Sequence, residues 1–215
     1  MTNIALRQCC HTPASPLLLT ENRQATTHGL AMERTRGSAS FPVGGKASSI
    51  WTDLQAATNC SCLPELDCLD IVDVWTQNAS PSNTAYIGQF WHYLHTHGQK
   101  LGPQTVIAGD LNSNAIWDKP RRMWNHTTCV SALDAMGFRS LYHLATGERQ
   151  GGETQPTFLL HRSNLKPYHI DYVFAHEEML QPTPPTVRVG TPAEWINASD
   201  HMPLIVDLPD NRHTD

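Results

Sequence analysis

Residues 105–112 read Thr-Val-Ile-Ala-Gly-Asp-Leu-Asn, an apolar run that ends in two polar side chains. A short, β-branched run of this kind is typical of a buried strand, which we predict over residues 105–110. Because side chains alternate along a strand, we expect Asp110 and Asn112 to share one face while Leu111 turns inward. Gly109 is expected where a neighbouring backbone approaches closely. The carboxylate could orient or deprotonate a water molecule and the amide could donate to a phosphoryl oxygen, although such residues more often belong to a turn.

The segments around this strand alternate between strand-like and helix-like patterns. Further strands are predicted at residues 69–75, 157–160, 169–174 and 204–208. One helix is predicted from Ser82 or Thr84 to Gly98, and a second over residues 125–136 with Gly137 ending it. Short strands mixed with two helices indicate a layered α/β or α+β domain. Since the strands are apolar on both sides, we expect most of them to be covered on both faces.

The composition is that of a globular chain without a membrane span. The 215 residues are 40% apolar and 16% charged, which suits one domain with a sizeable core. A formal net charge of -5 argues against a general nucleic-acid coat, which would usually be basic. It is compatible with an enzyme that has a local cationic site. No stretch approaches the roughly 18 apolar residues that span a bilayer, so we expect no membrane insertion and a cytoplasmic location.

The first third of the chain has a weaker pattern than the rest. Pro, Thr, Ser and Gly are scattered through it, and only residues 29–32 suggest a short strand. We therefore expect irregular or weakly ordered structure in residues 1–50. The sequence divides into a poorly patterned N-terminal region, residues 1–65, and a patterned domain, residues 66–210.

A second polar motif lies in residues 169–174, which read His-Ile-Asp-Tyr-Val-Phe. A carboxylate inside an apolar strand is costly to bury unless it has a partner. His169 shares the face of Asp171 and could be that partner, and a distant histidine or a metal could serve equally. An Asp that ties down a loop or caps a backbone group remains an alternative.

The third motif is Ser199-Asp200-His201, followed by Met-Pro and the strand predicted at residues 204–208. Adjacent Asp and His can divide the labour, because one can hold a hard divalent metal while the other contacts phosphate or transfers a proton. An isolated Ser-Asp-His is usually a turn. The three motifs together, each at a strand terminus, are far more specific than any one of them.

Taken together, the motifs resemble those of the endonuclease/exonuclease/phosphatase family, which includes exonuclease III-like and DNase I-like nucleases and inositol polyphosphate phosphatases. The resemblance covers about residues 69–208 and implies a four-layer β-sandwich of the DNase I-like type flanked by helices. The matching residues are Gly109-Asp110-Leu111-Asn112, Gln155-Pro156-Thr157-Phe158, Ile170-Asp171-Tyr172-Val173 and Ser199-Asp200-His201-Met202-Pro203.

The resemblance implies a role for each residue of the site. Asp110 would orient and activate the attacking water, and Asn112 would bind a phosphate oxygen. His201 would contact the scissile phosphate, held and made more basic by Asp171. Asp200 would bind the metal or hold one of its ligands in place, and the metal, Mg²⁺ or Mn²⁺, would neutralise the charge developing at phosphorus.

Substrate contacts are expected from Asn114, Trp117, Arg121 and Thr157. The tryptophan and the basic residues near it could stack on a base and bind a phosphate backbone. The alternative is a solvated helix start with tryptophans in the core.

The sequence departs from the family pattern near its beginning. The family begins with a strand carrying Asn and then a strand ending in a metal-binding Glu, and residues 1–68 match neither. Glu21, Glu33 and Glu65 occur there, but none ends an apolar strand. Gln77 or Asn78 stands where the family usually has His. We therefore expect a domain that is incomplete at its N-terminus, with residues 1–65 as the remnant of its first half.

Three functions follow from these observations. The first is a metal-dependent phosphodiesterase of the nuclease type, with nucleic acid as the expected substrate. The second is a phosphomonoesterase that acts on a small phosphorylated metabolite or a lipid headgroup, because the motifs specify only the phosphoryl centre. The third is an inactive remnant that lacks the metal-binding Glu.

Overall fold

The computed structural model describes residues 70–81, 85–182 and 184–208 in full, and the backbone of three earlier strands. The strands are β1 Asn3–Gln8, β2 Leu17–Thr20, β3 Ala57–Cys60, β4 Asp70–Trp75, β5 Thr105–Asp110, β6 Phe138–Ser140, β7 Phe158–Leu159, β8 Pro167–Tyr168, β9 Asp171–His176, β10 Thr186–Val189 and β11 Leu204–Leu208. The helices are α1 Ile87–His97, α2 His126–Ala135, α3 Leu141–Thr146 and α4 Pro192–Trp195. Short 3-10 turns lie at Gly98–Lys100, Ala115–Trp117, Leu160–Arg162 and Glu177–Leu180.

Two larger sheets and one small one organise these strands. The five-stranded sheet has the order β3-β4-β5-β9-β6, and the four-stranded sheet has the order β10-β11-β1-β2. β7 and β8 form the small antiparallel sheet. β4 and β5 run parallel, whereas β9 runs antiparallel to β5, so the end of β5 meets the start of β9. At this point the polar residues Asp110 and Asp171 lie opposite each other.

The central strands β5 and β9 are covered on both faces, as their apolar composition predicts. Val106 and Val173 point toward a core shared with the four-stranded sheet. Ile107 and Phe174, the next residue in each strand, point toward a second core shared with α1 and α2. The period of two in burial is the expected alternation of a pleated strand.

The described layers are a pair of helices, the five-stranded sheet and the four-stranded sheet. This is a mixed α/β fold with several sheets, as predicted. A fourth layer is not among the described elements, so the four-layer sandwich stays a prediction, as does its incomplete N-terminus. Among the described helices, none is both long and apolar enough to cross a bilayer.

The two predicted helices are present. Helix α1 ends at Gly98 as predicted, but it begins at Ile87 after Tyr86, and residues 82–84 lie outside the described part. Helix α2 follows the sequence prediction closely, since Asn125 is its N-cap and donates its backbone N–H to Thr128 Oγ1 (3.1 Å). Gly137 follows with a φ of 85°, a left-handed conformation that ends a helix readily only at glycine.

The expectation of irregular or weakly ordered structure in residues 1–50 does not hold throughout, because the strands β1 and β2 lie in this region. β1 pairs in parallel with β11, aligning Ile4 with Leu204, and β2 pairs with β1 in the antiparallel sense. The polar ends of β1 weaken its local pattern, so its strand conformation depends on pairing with a distant segment. The strand suggested at residues 29–32 lies outside the described residues.

In the second half of the chain, the sequence missed or displaced several elements. β6, α3 and β10 were not predicted. The strand expected at residues 169–174 begins instead at Asp171. The reason is local, because Thr157 Oγ1 accepts the backbone N–H groups of Ile170 and Asp171 (3.0 Å each) in place of a neighbouring strand.

Gly109→Ala should destabilise the fold by about 2–4 kcal/mol. A Cβ at this position would lie 1.8 Å from the carbonyl oxygen of Val74, and the φ of 150° is rarely adopted by other residues. The measurement is the free energy of unfolding in urea. Gly102→Ala is the matched control, because its added Cβ would meet nothing within 4 Å. Equal stability of the two variants would contradict the close approach of β4 and β5.

Asp73→Asn should stabilise the protein at pH 8 by about 1–2 kcal/mol. Burial raises the pKa of Asp73 to about 6, with a backbone hydrogen bond from Val74 opposing this in part. A raised pKa in the folded state means that stability is highest below the unfolded pKa near 4 and falls as the pH rises through about 6. The advantage of the Asn variant in urea unfolding should therefore shrink at pH 4. An advantage that does not vary with pH would contradict the burial of this carboxylate.

Candidate active site

Three buried residues meet where β5 ends and where β9 and β11 begin. Asp110 is the last residue of β5 and lies directly opposite Asp171, the first residue of β9. His201 precedes β11 in the other large sheet. One side-chain ligand atom from each of Asp110, Asp171 and His201 lies within 4.8 Å of the other two. Segments more than 90 residues apart in sequence therefore form one site.

Asp171 is the partner of His201. The imidazole Nδ1 lies 3.1 and 3.0 Å from the two carboxylate oxygens of Asp171, which is 1% exposed. The position of Asp171 is fixed by Thr157, whose Oγ1 accepts its backbone N–H. With Nδ1 donating to Asp171, Nε2 is the ring nitrogen left to act on a ligand. The sequence had left the partner of Asp171 open, and the structure selects the distant histidine.

The charge of His201 is set by its neighbours. Burial by itself would lower the pKa of the imidazole, but the charge and hydrogen bond of Asp171, and then the charge of Asp110, outweigh it and raise the pKa. The site therefore favours an imidazolium that can donate to an anion.

Asp110 is held by the loop that follows it. The backbone N–H and the side-chain Nδ2 of Asn112 donate to its two carboxylate oxygens at 2.7 Å each. Asn112 adopts a φ of 42°, a left-handed conformation that Asn tolerates better than most residues. Leu111 is 2% exposed and packs into the core below. Asp110 and Asn112 thus lie on one side and Leu111 on the other, although Asn112 lies beyond the end of β5.

The amide of Asn112 is fully engaged in this arrangement. Its Nδ2 also donates to the carbonyl oxygen of Thr76 (2.9 Å), so both amide hydrogens have acceptors. Thr76, which is 0% exposed, donates its hydroxyl to the carbonyl oxygen of Leu111 (2.6 Å). Sequence reasoning missed Thr76, and the only available signal was its position one residue after the strand parallel to β5.

The three residues fit a divalent cation in their donor chemistry. Asp110 and Asp171 are like charges placed directly across two strands, an arrangement that is unfavourable without a compensating positive charge. Carboxylate oxygens suit Mg²⁺, which usually binds through one or two carboxylates and keeps several waters. Among the described residues, the side chains close enough to hold one metal ion are those of Asp110, Asp171 and His201, without Asp200. The backbone carbonyl of Asp200 accepts the N–H of Leu159 (2.8 Å). Its role as a metal ligand stays a prediction, and residues 21, 33 and 65 lie outside the described part.

Asn114 is buried and does not lie on the protein surface. It is 2% exposed, and its Nδ2 is within hydrogen-bond distance of Glu153 Oε2 (3.1 Å), the His169 carbonyl (2.9 Å) and the Tyr172 hydroxyl (3.1 Å). Thr157 is likewise 0% exposed. The structure thus gives both residues supporting positions, and their predicted substrate contacts would need a local rearrangement.

Glu153 is a further residue that sequence reasoning missed. Burial would raise its pKa, but hydrogen bonds from His143 (3.1 Å), from Asn114 and from the backbone N–H of Gly151 outweigh this and lower the pKa to about 2. It is therefore a buried anion that ties α3 to the loop after β5. No local pattern in the sequence distinguishes it from the other surface-like Glu residues.

Trp117 and Arg121 lie on the surface. Trp117 is 41% exposed, and its ring lies 5.1 Å from that of Tyr168. Arg121 is exposed and has a φ of 66°. Both are accessible to a ligand, so the structure leaves their predicted substrate contacts as predictions.

No protein-family model and no curated protein matches the chain. Solved structures with a similar arrangement include the endonuclease domain of TRAS1, a telomere-specific non-LTR retrotransposon (20% identity, TM-score 0.41, 62% of this chain and 52% of that one). Others are the 3′-5′ exonuclease NExo from Neisseria meningitidis (17%, 0.48, 72% and 64%) and a variant of the 3′ phosphatase NExo from Neisseria bound to a product DNA hairpin (18%, 0.46, 69% and 62%). The chain spans between half and two thirds of the length of these proteins.

Asp171→Asn should lower the pKa of His201 below its ordinary value. The substitution removes the carboxylate charge that opposes burial, so the desolvation cost of the imidazolium should dominate. The measurement is an NMR titration of the histidine Cε1 protons in metal-free buffer, with His201→Gln used to assign the resonance. Asp134→Asn, at an exposed position, is the control. An unchanged His201 titration in Asp171→Asn would contradict the pairing.

Proposed function

We propose that the chain is a metal-dependent phosphoester hydrolase, a phosphodiesterase of the nuclease type that acts on nucleic acid. The observation that carries the proposal is the buried Asp171–His201 pair facing Asp110 at the meeting point of two sheets. A histidine oriented by a buried carboxylate, next to a second carboxylate, is suited to general acid–base chemistry on a charged substrate.

His201 would act on the phosphoryl oxygens. Its Nδ1 is engaged by Asp171, which fixes the ring and leaves Nε2 for the substrate. Because the pKa of the imidazole is raised, it would donate a charged hydrogen bond to the oxygen on which negative charge develops. Asp171 acts through His201 and is a positioning residue in this scheme.

Asp110 would orient the attacking water and accept its proton. The hydrogen bonds from Asn112 hold both carboxylate oxygens, so the carboxylate does not need to be ordered when substrate binds. Asn112 itself can contact phosphate only if its amide exchanges the Thr76 carbonyl or Asp110 for a phosphate oxygen. Its main role here would then be to support Asp110.

The cation would be Mg²⁺ or Mn²⁺, bound by Asp200 beside Asp110, while Asp171 stays hydrogen-bonded to His201. When bound, it supplies positive charge that stabilises the phosphoryl transition state. Trp117 and Arg121 would contact the part of the substrate beyond the scissile phosphate.

Asp110→Asn and His201→Ala should each reduce metal-dependent hydrolysis at least about 100-fold, because they remove the proposed base and the proposed phosphate contact. The assay follows labelled single-stranded DNA and RNA, bis(4-nitrophenyl) phosphate as a small diester and 4-nitrophenyl phosphate as a monoester, with Mg²⁺ or with chelator. Glu178→Gln and His92→Ala, both at exposed positions, are the matched controls and should keep wild-type rates. Circular dichroism checks that each variant folds.

The substrates separate the competing functions. Cleavage of the monoester alone would replace the nuclease assignment by a phosphomonoesterase. Wild-type protein that cleaves none of these substrates with either metal would contradict the proposal and favour an inactive remnant. Full activity in Asp110→Asn or His201→Ala would remove the assigned site.

A further inference from the structure

A row of aromatic side chains leads outward from the site. The ring of Phe158 lies 4.6 Å from the His201 ring, and the two residues form an isolated antiparallel bridge. The backbone bonds that flank this bridge run from Leu159 N–H to the Asp200 carbonyl and from Met202 N–H to the Thr157 carbonyl. Such a pair has no hydrogen bonds of its own, which brings the two side chains close together.

The row continues across the small sheet. Phe158 lies directly opposite Tyr168 in the β7–β8 pairing, so the side chains of His201, Phe158 and Tyr168 share one face. Trp117 then lies against Tyr168, with ring centroids 5.1 Å apart and planes inclined by 53°. Backbone pairing thus aligns His201, Phe158 and Tyr168, and the ring contact with Tyr168 extends the row to Trp117.

Exposure rises along this row. His201 is 7% exposed, Phe158 and Tyr168 are half-buried, and Trp117 is 41% exposed. The inner end of the row therefore lies at His201, the proposed catalytic residue, and the outer end, Trp117, is accessible to a ligand.

Basic residues lie close in sequence to the outer end of the row. Lys119 and Arg121 follow Trp117 within four residues and are exposed, and Lys166 precedes β8 and is exposed. The whole chain carries a formal charge of -5, so cations near a row of rings are a local feature and not a general property of the surface. Rings with flanking cations match the chemistry of a nucleic-acid strand, which offers flat bases and a phosphate backbone.

We propose that the row formed by Phe158, Tyr168 and Trp117 binds unpaired bases of a single-stranded nucleic acid whose adjoining phosphate lies at His201. The proposal rests on the phosphodiesterase function above and specifies its substrate. Base faces are already stacked inside a duplex, so only unpaired bases can lie against these rings. The row would make the protein prefer single strands or frayed ends over intact duplex.

Binding can be tested without catalysis. Anisotropy of fluorescein-labelled twelve-nucleotide oligo(dT) and oligo(U), and of a duplex of the same length, is measured with full-length protein in chelator. Trp117→Ala and Tyr168→Ala should each weaken single-strand binding roughly tenfold or more. Trp117→Phe should recover most of the affinity, because a ring remains. Circular dichroism and thermal unfolding confirm that the variants fold.

Two exposed apolar residues that are close in sequence to Trp117 and Tyr168 are matched controls. Met123 is 63% exposed in the loop after Trp117, and Leu165 is 91% exposed in the turn before β8. Neither side chain has a flat face, so Met123→Ala and Leu165→Ala should bind single strands like wild type. Comparison of oligo(dT) with oligo(U) identifies DNA or RNA as the better ligand.

Several results would overturn the inference. They are wild-type binding by Trp117→Ala and Tyr168→Ala, duplex binding as tight as single-strand binding, or an equal loss in Leu165→Ala. Binding of phosphatidylcholine–phosphatidylserine vesicles that is lost in Trp117→Ala, without oligonucleotide binding, would assign the row to lipid. Hydrolysis of bis(4-nitrophenyl) phosphate by the wild-type protein tests the phosphodiesterase function separately. If the base-binding role of the row is wrong but the function is right, this diester is still cleaved.

Discussion

The hydrogen-bonded pair of Asp171 and His201 joins the two large sheets as well as forming the proposed catalytic group. Asp171 begins β9 of the five-stranded sheet, and His201 leads into β11 of the four-stranded sheet. A carboxylate this deeply buried requires a partner, and its partner comes from the opposite layer. The orientation of the imidazole therefore depends on how the two sheets pack, so a change in core packing would also change the proposed catalytic group.

The parts of the fold that could be predicted are those whose signal is local. β5 and β11 have the predicted bounds because their apolar residues are continuous or alternate clearly. Helix α2 lies close to its predicted bounds because Asn125 and Gly137 mark its ends. The need of Asp171 for a partner was also evident from its apolar neighbours. Whether its partner is His169 or His201 could not be predicted, because that depends on which strand of the other sheet packs against β9.

The parts that could not be predicted depend on distant partners. β1 is a strand because β11 pairs with it. Thr76 matters because β4 ends beside β5, which brings its carbonyl and hydroxyl to the loop after Asp110. Glu153 stands in a loop with no regular pattern, and its importance arises only when His143 and Asn114 converge on it. These are consequences of topology, and a single sequence carries little direct information about them.

The segment from Asp110 to Asn114 is anchored at alternate positions, on the Thr76 carbonyl through Asn112 and on the buried Glu153 through Asn114. A stretch fixed this way has little conformational freedom to lose when a ligand arrives. In the proposed enzyme, the Asp110 carboxylate would therefore already be in place when the nucleic-acid strand binds.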